Sequence, residues 1–297
     1  MEESMKLQFP GLLFMIGWSF LISPARADEK DGKVSKQTIR AADGLGIVCE
    51  VRGRGDTALV FLHGWCGDRA YWKNQVDVFA ADYRVVSLDQ AGHGESGKDR
   101  KAWTVSSLAD DVETVVKTLG LKRVILVGHS MGGPVALMAA KRMPGTAVAV
   151  IGVDTLQDAE VKMAEGVTKK LLENFAADFK GAMQAGIPGL LPEKSDPDLT
   201  KWLVTRAQLQ DQKMALGLMA DMKSLDQKAN LKEARVPVRC INSSGGYKFF
   251  TPTSVAVNKK YADYDAVMMD TIGHYPMLER PAEFNQKLRE VSKPFAK

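Results

Sequence analysis

Arg123–Pro144 reads RVILVGHSMGGPVALMAAKRMP. The apolar run Val124-Ile125-Leu126-Val127 leads into Gly128-His129-Ser130-Met131-Gly132, and Pro134–Met143 continues with helical character. A buried strand that bends sharply into a helix crowds the backbone at the bend, so the residues flanking its tip must be small. Gly128 and Gly132 meet that need and leave Ser130 at the tip, hydroxyl outward. The Met131 amide and the start of the helix aim positive partial charge at the same spot. The five-residue spacing alone recurs by chance. Set between a β-branched/Leu run and an apolar helix, it reads as a turn presenting a nucleophile rather than a glycine-rich bend with an idle serine.

Working outward, Ala58–Leu62, Arg84–Leu88, Val148–Val153 and Val236–Ile241 read as buried strands, being continuously or mostly apolar. Val34–Arg40 and Ile47–Val51 flank an Asp43–Gly46 turn, and Ala266–Asp270 is the last strand expected. Helices are expected over Tyr71–Ala81, Val105–Leu119, Pro252–Tyr261 and Pro281–Val291. In the second of these, Val105, Leu108, Val112, Val115, Val116 and Leu119 share one face. From Thr155 to Arg235 the alternation stops; Gln157–Ala185, Pro197–Gln210 and Gln212–Asp226 read as helices. Met163, Met183, Met214, Met219 and Met222 lie there. Methionine packs adaptably, so they either line a helical lid over a pocket or pack the insertion onto the core. The reading is an α/β protein with a mostly parallel, doubly wound sheet. Its core is 28–154 and 236–297, and its helical cap 155–235.

The 297 residues carry a net charge of +4 with no Lys/Arg tract, which argues against a nucleic-acid partner. Residues 1–27 differ from the rest. Lys6 precedes a mostly apolar Leu12–Ile22, then Ala25-Arg26-Ala27 and the charged Asp28-Glu29-Lys30-Asp31. That order is expected of a cleaved secretory signal peptide, giving a secreted or periplasmic protein without stable membrane insertion; an uncleaved N-terminal anchor is the alternative. The apolar core is shorter than the roughly 20 residues a span requires. Cys49, Cys66 and Cys240 lie in or beside expected strands, where buried thiols are the ordinary outcome, and they allow one disulfide at most. No C-x-x-C pair or His/Cys cluster suggests a metal; no Gly-x-Gly-x-x-Gly follows the first strand and no phosphate loop is present, so a nucleotide cofactor is not implied.

A serine hydroxyl needs a base to become a nucleophile. Of the four histidines, His63, His93 and His129 sit in glycine-rich loops where a structural role is expected, as it is for Asp89 and Ser96; His274 follows the last strand. Together, His63-Gly64-Trp65, Asp89-x-x-Gly92-x-Gly94-x-Ser96, Gly128-His129-Ser130-Met131-Gly132 and Gly273-His274 resemble the motif series of the α/β-hydrolase superfamily. The pattern is similar to its bacterial aryl-esterase, cofactor-free haloperoxidase and carbon–carbon hydrolase branches, over about Val34–Val153 and Val236–Phe295.

The resemblance implies the α/β-hydrolase fold and no cofactor. It implies Ser130 as nucleophile, His274 as base by the chain order Ser, Asp/Glu, His, and an oxyanion hole from the Trp65 and Met131 amides. In the commoner pattern the acid follows the strand Val236–Ile241, but Asn242–Pro252 contains no Asp or Glu. Asp154, at the end of the preceding strand, is the leading candidate. Asp158, a neutral partner such as Asn242 or Ser244, and no acid at all stay open, and a helix N-cap is the alternative role for Asp154. The implied activity is hydrolysis of a small-molecule ester or lactone. Carbon–carbon hydrolysis or perhydrolysis on the same triad, and a weakly hydrolytic ligand-binding protein, are the alternatives. A serine at the tip disfavours Asp-dependent halide and epoxide chemistry. The sequence leaves oligomeric state open.

Overall fold

Eight strands form one sheet: β1 (Ser35–Arg40), β2 (Gly46–Arg52), β3 (Ala58–Leu62), β4 (Arg84–Leu88), β5 (Val124–His129), β6 (Ala147–Val153), β7 (Val238–Ser243) and β8 (Tyr264–Met269). The computed structural model describes residues 34–162 and 165–297. The expected signal segment 1–27 and Met163 lie outside the described residues. The strand order is β1-β2-β4-β3-β5-β6-β7-β8. β1 pairs antiparallel with β2 and β2 with β4, and the other pairs are parallel. The sequence order reverses around β3, and ligands of open parallel sheets sit beyond the carboxyl ends of strands at such a point.

β3 and β5 are buried at every residue because helices cover both faces, hence their unbroken apolar runs. The helix Val105–Thr118 packs one face through Val105, Leu108, Val112, Val115 and Val116. Each such side chain contributes about 1.5–3 kcal/mol on burial. Thr104 and Ser107 form a reciprocal capping box at its start. Cys49, Cys66 and Cys240 are free and buried.

Several expected elements are corrected. Tyr71–Ala81 is not one helix; a 3-10 turn, Arg69–Trp72, is followed by a single α turn, Val76–Phe79. Between them the Gln75 side chain donates from Nε2 to the Met277 carbonyl (3.1 Å) and to Asn285 Oδ1 (2.9 Å), so tertiary bonds override local propensity. The expected Gln157–Ala185 helix is two, Glu165–Ala177 and Phe179–Gly186, because Asp178 leaves helical geometry and caps the second from its side chain to the Gly181 amide. Its first residues are held out of helix by Asn258, which accepts from the Ala159 amide and donates to the Leu156 and Gln157 carbonyls.

Pro197–Gln208 and Gln212–Ser224 follow expectation, whereas Gln227–Ala234, capped by Asp226, is a helix the sequence reading lacked. β7 runs two residues later than expected. Pro237 has no N–H to pair, and Asn242 and Ser243 are buried strand residues rather than loop. Of Pro252–Tyr261 only Val255–Asn258 is helical.

Candidate active site

Ser130 and Asp154 leave adjacent strands in the same way. The Ser130 amide bonds the Val153 carbonyl (3.1 Å) and the Asp154 amide bonds the Ile241 carbonyl (3.0 Å). Both residues then turn through left-handed backbone, with φ of +50° and +43°. Such a conformation costs a non-glycine residue about 1–3 kcal/mol and is held by its surroundings. Around Ser130 the packing leaves no room for side chains. A Cβ on Gly128 would stand 2.1 Å from the Gly132 carbonyl oxygen, and one on Gly132 would stand 2.5 Å from that of Leu62. Gly128→Ala is therefore expected to destabilise the protein by at least about 1–3 kcal/mol, read as a lower urea midpoint. An unchanged midpoint would contradict this elbow geometry.

The His63-Gly64-Trp65 loop lies against the elbow: a Cβ on Gly64 would stand 3.1 Å from Ser130 Cβ and 2.7 Å from His129 Nδ1. Trp65 is fixed there by its indole N–H, which donates to the Ala215 carbonyl (2.8 Å) on the helix Gln212–Ser224. Met131 is the N-cap of the helix Gly132–Arg142 and has no side-chain cap. These are the two residues whose amides the sequence reading assigns to an oxyanion hole.

His274 donates from Nδ1 to Asp154 Oδ2 at 2.6 Å, which leaves Nε2 as the free lone pair. Asp154 is 1% exposed. Burial alone would raise its carboxyl, but bonds from His274, Tyr247 and the Ser243 amide outweigh burial and hold it below the usual carboxylate value. The contact is to Asp154 and not to the rivals. Asp158 caps the Glu160 amide, Asn242 bonds Thr155 and Thr253, and Ser244 bonds Asp270. Asp154 is no helix N-cap either, since Leu156–Ala159 is not helical.

The His274 backbone is held on three sides. Its amide bonds the Leu190 carbonyl (2.8 Å), its carbonyl accepts from His129 Nε2 (2.8 Å), and the flanking Gly273 and Tyr275 amides donate to the Glu279 carboxylate (2.8 and 2.9 Å). Burial raises the Glu279 carboxyl. The residue before Ser130 thus touches His274 directly, their imidazole centroids 4.8 Å apart. Burial and the neighbouring His274 push His129 down to about 3, so it stays neutral.

His63 and His93 are buried loop anchors, as expected. His63 Nε2 accepts from the Gln90 amide and Nδ1 donates to the Gly64 carbonyl, while His93 Nε2 accepts from the Cys66 amide. Asp89 and Ser96 also brace loops: Asp89 accepts from the Arg69 and Glu95 amides, and Ser96 bonds the Val48 amide and the Asp89 carbonyl.

Ser130 and His274 line one cavity of about 370 Å³, walled by Leu171, Phe175, Met183, Ile187, Met219 and Met222. Among the described residues lining it there is no Asp, Glu, Lys or Arg. Met214 instead packs against Gly92 and Trp103, so the methionines divide between cavity wall and core. Three larger clefts, of about 680, 560 and 540 Å³, are lined largely by charged and polar residues and contain neither Ser130 nor His274. Tyr247 and Glu279 escaped the sequence reading; neither lies in a motif, and only folding brings them to Asp154 and to the His274 loop.

A family model described as the alpha/beta hydrolase fold matches residues 57–198. Among curated proteins, the dihydrolipoyllysine-residue acetyltransferase component of the acetoin cleaving system of Pseudomonas putida is 28% identical over 251 residues. That match covers 80% of this chain and 64% of the relative, so the chain spans less than two thirds of its length. Among solved structures, an esterase from Exiguobacterium antarcticum superposes with a TM-score of 0.78 at 20% identity, covering 87% of this chain and all of that one. Est816, described as an N-acyl homoserine lactone degrading enzyme, superposes with a TM-score of 0.73 at 22% identity, covering 86% and 99%. At such identities the likeness is one of fold. The strand order, the strained serine turn after β5 and these matches agree, and the chain has the α/β-hydrolase fold.

Proposed function

We propose that the protein is a serine hydrolase of small, uncharged carboxylic esters or lactones. The observation that carries this reading is the pairing of His274 with a buried carboxylate, while His274 and a serine held in left-handed backbone line one apolar cavity. Ser130 Oγ attacks the carbonyl carbon while His274 Nε2 takes its proton. The amides of Trp65 and Met131 stabilise the oxyanion, and one such donor is worth about 2.7–4 kcal/mol. His274 then returns the proton to the leaving alcohol, and water repeats the sequence on the acyl-enzyme. Asp154 fixes the tautomer and stabilises the imidazolium.

A cavity of about 370 Å³ with no Asp, Glu, Lys or Arg among its described lining residues suits a short alkyl or aryl group. An anionic acyl end would lose its hydration with no partner in return. The ligand-binding alternative rested on the lack of a carboxylate after β7, and the Asp154–His274 bond removes that support. A turnover screen over short esters, long esters, lactones and diketones tests the reading. Uncharged short esters or lactones are expected to turn over, with a lower rate when the acyl end carries a carboxylate. Turnover confined to diketones would move the reaction to carbon–carbon hydrolysis, and none in any class would contradict a hydrolase. Export is proposed from residues 1–27 alone, and an intact Met1 on protein recovered from the export compartment would refute cleavage.

A further inference from the structure

The loop after β7 carries no carboxylate, yet it reaches the site through Tyr247, whose hydroxyl donates to Asp154 Oδ2 at 2.7 Å. This is the oxygen that accepts from His274 Nδ1 at 2.6 Å, while Oδ1 takes the Ser243 amide at 2.9 Å. One carboxylate oxygen is therefore shared between a phenol and an imidazole. Resting on the function proposed above, we infer that Tyr247 is a positioning residue that sets how firmly Asp154 holds the His274 imidazolium.

A donor on Oδ2 draws charge away from that oxygen, so less is left to stabilise a positive imidazole. Burial and the Asp154 charge raise the Tyr247 phenol above its ordinary value, so it remains a donor through the working pH range. The other titratable groups facing the pair are fixed or common to any variant at 247. His129, packed on the His274 ring from β5, is held neutral, and Tyr275, which touches both rings, is raised by burial. Cys240 on β7 is pushed up to about 12 by burial. Glu279, under the His274 loop, has a carboxyl raised by burial and is present in every variant compared.

The test is the pH dependence of fluorophosphonate labelling of Ser130, which needs no knowledge of the substrate. It compares the full-length protein, Tyr247→Phe, and a variant with 3-fluorotyrosine at 247. Phenylalanine keeps the ring edge-to-face with Phe250 but removes the donor, leaving Asp154 Oδ2 more negative and its hold on the His274 imidazolium firmer. The acidic limb of the labelling profile is expected to move up by about 0.5–1 pH unit. The fluorinated phenol is a stronger donor, so its limb is expected below that of wild type. If the Phe variant fails to fold, the fluorotyrosine comparison carries the test alone. Coinciding limbs, or any order other than fluorotyrosine below wild type below phenylalanine, overturn the inference, including a slower rate with an unmoved limb. Failure of wild type to label at Ser130 would instead sink the serine-hydrolase reading itself.

Discussion

Ser130→Ala is expected to lower ester turnover roughly 10⁴-fold or more while leaving the fold intact. A 10⁴-fold loss is about 5.5 kcal/mol of barrier. The fold should survive because the elbow is held by its backbone. The Ser130 amide bonds Val153, and the Ser130 carbonyl accepts from both the Gly133 amide and Thr155 Oγ1. An alanine keeps all three bonds and removes only Oγ. The two amides assigned to the oxyanion and the apolar cavity would remain, so a residual rate above that in water is expected. Wild-type turnover in a folded Ser130→Ala protein would remove the serine from the chemistry.

Asp154→Asn is expected to cost roughly 10²–10⁴-fold in turnover, by the logic of triad acids. Three donors face its two oxygens: the His274 imidazole, the Tyr247 hydroxyl and the Ser243 amide. An asparagine turns one acceptor into a donor, so either His274 adopts the wrong tautomer or another donor goes unpaired. A buried unpaired donor costs about 1–3 kcal/mol, and the melting temperature should fall as well. The pH dependence has a definite sign. The Asp154 carboxyl is held below its ordinary value, so its charge stabilises the fold above that value and the stabilisation is lost as the pH falls through the lowered one. The stability gap between wild type and Asp154→Asn should therefore narrow below about pH 4. A gap independent of pH would place the stabilisation elsewhere.

What could be read before folding was what local chemistry dictates. The elbow was legible because a strand-to-helix bend demands glycine at both flanks, and Gly128 and Gly132 stand where a Cβ would strike backbone. Asp154 could be nominated because it stands at the end of an apolar run beside the elbow strand, but its pairing with His274 needed the β5–β6–β7 register. Tyr247 and Glu279 were invisible for the opposite reason. A tyrosine 93 positions from its carboxylate partner carries no local signature. A glutamate two residues before the closing helix Pro281–Ser292 reads as a surface residue until its oxygens are seen on the amides either side of His274. The misplaced helix Gln157–Ala185 shows why. Asp178 and Asn258 bind backbone groups with their side chains, and a hydrophobic period does not register that competition.

The most direct test of the account is the site of the adduct after brief treatment with a fluorophosphonate, read by intact mass and peptide mapping. A single adduct on Ser130, absent from Ser130→Ala and formed far more slowly in His274→Ala, is the expected result. A folded wild-type protein that stays unlabelled, or an adduct that persists in Ser130→Ala, would contradict it.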